Sequence, residues 1–432
     1  MLYSVSPSQG VVGRIVLPAS KSYSIRAFII AACGGRSLIV GPSDCEDAQV
    51  ARRTAEALGA RVVCCSSPND AVQEWMVEAG GLLSSKERST FDVGESGTAL
   101  RFLLPLLALR GVPAVVKGKG TLRGRPNHLL TRVLRNQGVD IRGTGEAEGV
   151  PVRLISGRLR GGRMVIDGSL SSQFISALLI ACPLLEEDTE LSLTGRQLVS
   201  ADYITMTLRV LDRAGIVVRK KDERHYQIPG RQVFKGLKRF RVPSDYGLAA
   251  FLMGAAILTD SRVTLEGCLR ADWPQADEHI MALVRRMGID VRASARSIQL
   301  RPPYVLKGGR FSLKACPDLV PIMAVLALFA KGRTWLTHIH HARAKESDRI
   351  SDLRQELLKV GACVEETEDA LTIVPRSRYR SGQTLDAHRD HRLAMAFAVL
   401  GAKIGVKIKG MECVAKSYPG FIRDFEALGI GR

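Results

Sequence analysis

Six times along this chain, a charged or capping side chain stands where a strongly apolar segment begins. Lys21 and Arg26 sit in KSYSIRAFIIAA, Arg101 follows Gly94 and Gly97 into RFLLPLLAL, and Gln173 opens QFISALLIA. Asp245 precedes YGLAAFLMGAAI, Asp318 precedes LVPIMAVLALFA, and Asp390 with Arg392 opens HRLAMAFAVLGA. If these segments are helices, their first turns carry unpaired N–H groups and the positive end of the helix dipole, both of which attract anions. A capping role accounts for Ser or Asp at such a corner. It does not account for Lys and Arg entering apolar helices. The chemistry to expect is the binding of phosphate and carboxylate groups, which guanidinium forks match two oxygens at a time.

Other reactive residue types carry less. His338-Ile339-His340-His341 has a metal-ligand look, but neither cysteines nor spaced carboxylates accompany it, so no metal is expected. The nine cysteines are scattered without a CxxC pair, and their odd number argues against a disulfide framework. Cys64 and Cys65 are neighbours that cannot form an ordinary bridge.

The elements that would position these corners form a repeat. Copies of one unit begin at Gly13, Phe91, Gly162, Phe240, Leu313 and Leu385, about 71 to 78 residues apart, a period long enough for a whole supersecondary module. Each reads as a short strand, a polar or Gly/Pro corner, then a buried helix rich in small and aliphatic residues. A second landmark keeps the same period: an amphipathic helix ending in Gly59, Gly138, Gly215, Gly288, Gly361 or Gly429, then an apolar strand. Glycine there suits a left-handed helix C-cap. The unit is therefore βαβαββ, and the fold class is α/β, with three units in each of two similar lobes.

With 432 residues, 46% of them hydrophobic, the chain can bury more than one core. No apolar run reaches the roughly 20 residues of a membrane helix. The segment from Met1 to Pro7 lacks a secretory layout, and a reducing, cytoplasmic setting is expected. The formal charge of +19 favours anionic partners, yet aromatics are only 5% and the run Arg219-Lys220-Lys221 ends at Asp222. Charge alone does not distinguish nucleic acid from phosphorylated metabolites.

The same corners carry a family resemblance. Pro18-Ala19-Ser20-Lys21-Ser22, Gly94-Glu95-Ser96-Gly97-Thr98-Ala99-Leu100-Arg101, Leu122-Arg123-Gly124-Arg125-Pro126 and Ser171-Ser172-Gln173-Phe174 lie in the first part of the chain. Pro243-Ser244-Asp245, Pro317-Asp318, Lys345-Glu346-Ser347-Asp348-Arg349, Asp390-His391-Arg392 and Lys416-Ser417-Tyr418-Pro419 follow in order. Together, over almost the whole length, they resemble the enolpyruvyl transferases and, among them, the EPSP synthases. The resemblance implies an inside-out α/β barrel of two lobes with three βαβαββ repeats each. It implies a first lobe of residues 1–19 plus 243–432, with the N-terminal strand in it, and a second lobe of 20–242.

It also implies a reaction: transfer of enolpyruvyl from phosphoenolpyruvate to the 5-hydroxyl of shikimate 3-phosphate, with release of phosphate. By the resemblance, Asp318, Glu346 and Lys21 are the catalytic candidates. Lys21, Ser22, Arg26, Ser171, Ser172, Gln173, Ser200, Tyr203, Asp318, His341 and Lys345 would bind shikimate 3-phosphate. Lys21, Gly97, Arg125, Gln173, Arg349, Arg392 and Lys416 would bind phosphoenolpyruvate, and glyphosate would compete for that place. For Asp318 and Ser200 a capping role stands beside the ligand role.

Two positions depart from the family's usual pattern. Glu95 stands where Asn is usual, and would turn away or pair with Arg101. His341 stands where Asn often touches the shikimate ring. The expected partners are the two small-molecule substrates, with no cofactor, nucleic acid or membrane, in a monomeric enzyme. The rival readings are the sister transferase acting on UDP-N-acetylglucosamine and a basic nucleic-acid-binding repeat protein. The first usually carries a cysteine within a stretch corresponding to Val116–Arg125, which has none here.

Overall fold

The computed structural model describes residues 2–67, 70, 72–81 and 90–430. The chain divides into two compact units, Met1–Pro18 with Pro243–Arg432, and Ala19–Val242, so Ala19 begins the second unit.

In the Ala19–Val242 unit the first helices of three repeats are Lys21–Ala32, Gly97–Ala108 and Ser172–Ala181. The middle one packs against both others. Ser96 and Ser171 cap the second and third, accepting from the N–H groups of Ala99 and Gln173. Each repeat ends in a four-stranded sheet of one plan. In the third repeat Gly162–Asp167 runs parallel to Thr189–Thr194, which pairs antiparallel with His225–Ile228, and Arg219–Lys220 lies outside.

In the other unit the corresponding helices are Tyr246–Leu258, Val320–Ala327 and His391–Ile404. Every residue of Tyr246–Leu258 is buried. Close approach is written into the sequence: a β-carbon on Gly254 would stand 2.5 Å from Ile322 Cδ1. Asp245 and Asp390 cap two of these helices through the N–H groups of Leu248 and Arg392. The third opens differently. A 3-10 turn, Pro317–Leu319, precedes Val320–Ala327, and the residue at its N-cap is Cys316, with no side-chain cap bond. The expected helix from Leu319 to Ala330 is thus shorter at both ends.

The strands form six separate sheets, and no closed barrel occurs among the described residues. The arrangement is inside-out α/β, with apolar helices buried and the sheets alternating buried and exposed side chains. Two strands trade places. Val12–Val16, the first strand of the first repeat, runs parallel to Arg262–Glu266 of the fourth. Lys238–Arg241, the first strand of the fourth repeat, runs parallel to Arg36–Val40 of the first. Among the described residues the sheet of the sixth repeat has three strands, with Leu2–Val5 at its edge antiparallel to Val406–Lys409. All six landmark glycines have positive φ, from 68° at Gly429 to 99° at Gly59, the left-handed turn that only glycine adopts without strain.

Candidate functional site

In the unit Ala19–Val242, Lys21 begins its helix with Nζ 3.1 Å from Asp47 Oδ2, both side chains mostly buried. Arg26, five residues on, is buried among its own supports. Its Nε donates to Thr207 Oγ1 (2.8 Å), Nη1 to the Ser22 carbonyl (2.9 Å) and Nη2 to the Tyr203 carbonyl (3.0 Å). The guanidinium lies over the Phe102 and Tyr203 rings. Burial lowers its pKa to about 10, still far above neutrality, so Arg26 remains a cation. Lys21, Ser22, Arg26 and Tyr203 thus share one neighbourhood.

A second cluster gathers at the glycine corner. The Arg125 guanidinium lies over Gly97, where a β-carbon would stand 2.7 Å from Nη1. Arg101 donates to Gln173 Oε1 (2.6 Å), the Pro126 carbonyl (2.9 Å) and Asn127 Oδ1 (3.3 Å). Gln173 Nε2 in turn donates to Thr98 Oγ1 (3.0 Å). Arg101 therefore fixes Gln173. Glu95 turns to the loop beyond, where its Oε2 accepts from the Thr121 N–H (3.3 Å) and hydroxyl (3.2 Å). Ser171 accepts from the Gln173 N–H as a cap, and Ser172 is buried beside it. Ser200 precedes Ala201–Arg213 at φ 55°, with no side-chain cap bond, so capping does not explain it.

In the other unit, one guanidinium organises the site. Arg349 is 1% exposed and bonds three carboxylates. Nη1 donates to Asp318 Oδ1 (2.7 Å), Nη2 to Glu346 Oε2 (2.9 Å), and Nε to Asp390 Oδ2 (2.7 Å), with Nη2 also near Asp390 Oδ1 (3.3 Å). Asp390 is fully buried and caps its own helix with the same carboxylate. Burial lowers the Arg349 pKa, but the three acids around it, Asp390 buried and Asp318 and Glu346 partly buried, hold it well above the usual value.

Asp318 is the meeting point of the cations. Besides Arg349 it has Lys345 Nζ at 3.4 Å and Arg392 Nη2 at 3.3 Å. The carboxylate makes ion pairs, and the N-cap positions on either side of it belong to Cys316 and Leu319. Lys416 Nζ donates to the Arg389 carbonyl (3.0 Å), ahead of the Asp390 corner. The three histidines face different surroundings. His338 Nδ1 meets Ser312 Oγ, and His340 Nδ1 meets Asp369. His341 is 2% exposed, and neither ring nitrogen has a hydrogen-bond partner among the described residues. Burial, then the charges of Lys345 and His340, lowers its pKa to about 3, which leaves a neutral imidazole at physiological pH.

The sequence did not point to Asp47, Asp277, Thr98 or Thr207, which hold Lys21, Arg392, Gln173 and Arg26. Asp47 and Asp277 carry only the general signal of an acid in a first turn, in the Glu46–Ala57 helix and the 3-10 turn Ala276–Glu278.

A profile of the EPSP synthase family, described as 3-phosphoshikimate 1-carboxyvinyltransferase, matches residues 5–425. The 3-phosphoshikimate 1-carboxyvinyltransferase of Methanoculleus marisnigri is 36% identical over 429 residues, spanning 98% of each chain. That of Methanothermobacter thermautotrophicus is 36% identical over 428 residues, spanning 99% of this chain and 98% of its own. Among solved structures, an EPSP synthase from Acinetobacter baumannii superposes with a TM-score of 0.79 at 26% identity, covering 99% of this chain and 98% of that one. The enolpyruvyl transferase NikO from Streptomyces tendae shares the fold, with a TM-score of 0.77 at 19% identity over 99% of this chain and 97% of that one.

Proposed function

The chain belongs to the EPSP synthase family, and from that premise we propose how its residues divide the work. The reaction is enolpyruvyl transfer from phosphoenolpyruvate to the 5-hydroxyl of shikimate 3-phosphate, a step of the shikimate pathway toward aromatic amino acids. The hydroxyl adds to C2 while C3 gains a proton; phosphate then leaves as the new methyl group loses one. Two proton-transferring groups and several cations are required.

The observation that carries the assignment is the Arg349 fork, which grips Asp318 on one Nη and Glu346 on the other. A single planar guanidinium fixes both carboxylates side by side, as a paired proton transfer needs. Asp318 takes the hydroxyl proton, and Glu346 gives and later removes the C3 proton. Four of the five Arg349 N–H groups are occupied within the protein, so Arg349 contributes to phosphoenolpyruvate more through charge than as an open fork. Arg392, Lys416, Arg125 and the Gly97 N–H are its further ligands.

Shikimate 3-phosphate falls to Lys21, Ser22, Arg26, Ser171, Ser172, Gln173, Ser200 and Tyr203, with Lys345 and His341 on its ring hydroxyls. The described Ala19–Val242 cluster supports this, since Lys21, Arg26, Arg101 and Arg125 outnumber Asp47 and Glu95. Lys21 neutralises phosphate. His341, neutral and with no hydrogen-bond partner on its ring among the described residues, donates or accepts one hydrogen bond to a hydroxyl. Lys and Arg supply the positive charge, and no cofactor enters these steps. Both residue sets lie in one chain, so a monomer suffices, and the nine free thiols suit a reducing cytoplasm.

The experiment is phosphate release from phosphoenolpyruvate by the purified protein. Release that depends on shikimate 3-phosphate is expected; release driven instead by UDP-N-acetylglucosamine would overturn the substrate assignment.

A further inference from the structure

Arg392 has two carboxylates to choose from. Its Nη2 lies 3.3 Å from Asp318 Oδ2 and 3.6 Å from Asp277 Oδ2. Nη1 donates to the Gly247 carbonyl at 2.9 Å, and the guanidinium lies over the Phe251 ring. If Asp318 takes up a proton during turnover, its pull on Arg392 weakens at the moment the substrate is most highly charged. A cation meant to stay in place then needs a second anion that takes no part in the chemistry.

We propose that Asp277 is a positioning residue for the reaction, holding the Arg392 guanidinium in its phosphoenolpyruvate-binding orientation when Asp318 is engaged with substrate. This rests on the reading of Arg392 as a phosphoenolpyruvate ligand. The backbone that carries Asp277 is tied down. The Asp277 side chain is 6% exposed, in the 3-10 turn Ala276–Glu278. The preceding Gln275 ties that turn to the start of the Tyr246–Leu258 helix, donating to the Ser244 carbonyl (2.7 Å) and accepting from the Tyr246 N–H (3.2 Å). Gly247 completes the fit: a β-carbon there would collide with Asp277 Oδ2 and stand 2.8 Å from Arg392 Nη1. Glycine at 247 leaves room for acid and arginine to meet over bare backbone.

The surroundings of Asp277 give the arrangement a pH dependence. Burial raises its pKa to about 7, Arg392 and Lys345 oppose the rise, and Asp318 and Asp245 add to it. The anchor is therefore complete above neutrality and is lost as Asp277 protonates below it.

The test compares Asp277→Asn, Arg392→Ala and the double variant with the wild type, in steady-state kinetics for each substrate. Asp277→Asn keeps size and one acceptor oxygen, and should raise KM for phosphoenolpyruvate about 10-fold, the order expected when one partner of a close ion pair is removed. KM for shikimate 3-phosphate should stay within about 2-fold, and the double variant should be no worse than Arg392→Ala. In the wild type, KM for phosphoenolpyruvate should climb more steeply from pH 8 to pH 6 than in Asp277→Asn, since protonation of the substrate's own phosphate is common to both. If Arg392→Ala leaves KM for phosphoenolpyruvate unchanged, the ligand reading falls and this inference with it. If Arg392→Ala raises it but Asp277→Asn does not, or the two effects multiply in the double variant, Asp277 alone loses its role. Gly247→Ala, which breaks the same contact from the backbone side, should reproduce the KM shift; a normal KM in that variant counts against the anchor.

Discussion

The Arg125 guanidinium rests on the backbone of Gly97, so close that a β-carbon at position 97 would stand 2.7 Å from its Nη1 and 2.8 Å from its Cζ. Real β-carbons do not tolerate such distances, and the flexible arginine is what would move. Gly97→Ala should therefore act by displacing Arg125, with the helix itself unharmed.

The first consequence concerns anionic ligands of different length. Glyphosate spaces its carboxylate and phosphonate further apart than phosphoenolpyruvate does, so it needs more of the space beside Gly97. Gly97→Ala should raise KM for phosphoenolpyruvate by about 3- to 30-fold, and the inhibition constant of glyphosate by at least a further ~10-fold. Inhibition series at several phosphoenolpyruvate concentrations measure both. Inhibition that phosphoenolpyruvate does not relieve, or equal shifts in the two constants, would remove the glycine corner from the site.

Asp318→Asn keeps the volume of the side chain but takes away the proton acceptor. Turnover should fall by about 10² to 10⁴, the usual cost of losing a positioned base. Circular dichroism and gel filtration should match the wild type. Near-normal phosphate release would take Asp318 out of the chemistry.

Arg349 is predicted to matter for folding as well as for rate. Removing one partner from a buried ionic cluster typically costs about 3–5 kcal/mol, and here three carboxylates lose their common cation. Arg349→Ala should lose stability on that scale in urea denaturation. Arg349→Lys should recover little, because a single ammonium cannot span Asp318, Glu346 and Asp390. A fully stable Arg349→Lys would contradict the three-way bridge.

His341 makes a prediction about acid. Its pKa is about 3 in the folded chain against roughly 6.5 in an unfolded one. Between those values the unfolded chain binds the extra proton, so His341 lowers stability as pH falls from about 6.5 toward 3, by up to roughly 1.4 kcal/mol per pH unit. His341→Asn should lose less stability than the wild type between pH 7 and pH 4.5. Identical losses would mean that His341 titrates normally.

These residues also mark what the sequence reveals and what it leaves hidden. The six-fold repeat was legible because Gly59, Gly138 and their counterparts need a backbone conformation that other residues avoid, and that need leaves a periodic trace. The exchange of Val12–Val16 with Lys238–Arg241 left none: either short strand would satisfy either sheet, and only the family resemblance implied it. The resemblance names Arg349 as a phosphoenolpyruvate ligand from a local motif. Its acids at 318 and 390 are distant in sequence, and nothing near position 349 announces them. Asp277 looked like any acid beginning a helix. Nothing in the glycine corner's own sequence announces that Arg101 reaches Gln173, Pro126 and Asn127, or that Glu95 reaches Thr121.

If Asp318 and Glu346 pass protons while Arg349 holds both, hydrogen from solvent must reach the product. Turnover in deuterium oxide, followed by NMR of the product's vinyl carbon, reads this most directly. A methyl group formed at C3 must mix solvent deuterium with the original hydrogens before one is removed. The wild type should place deuterium in the vinyl group only when both substrates are present, and Glu346→Gln should lose most of that incorporation together with turnover. Product formed by the wild type without deuterium at that carbon, or undiminished incorporation by Glu346→Gln, would contradict the assignment.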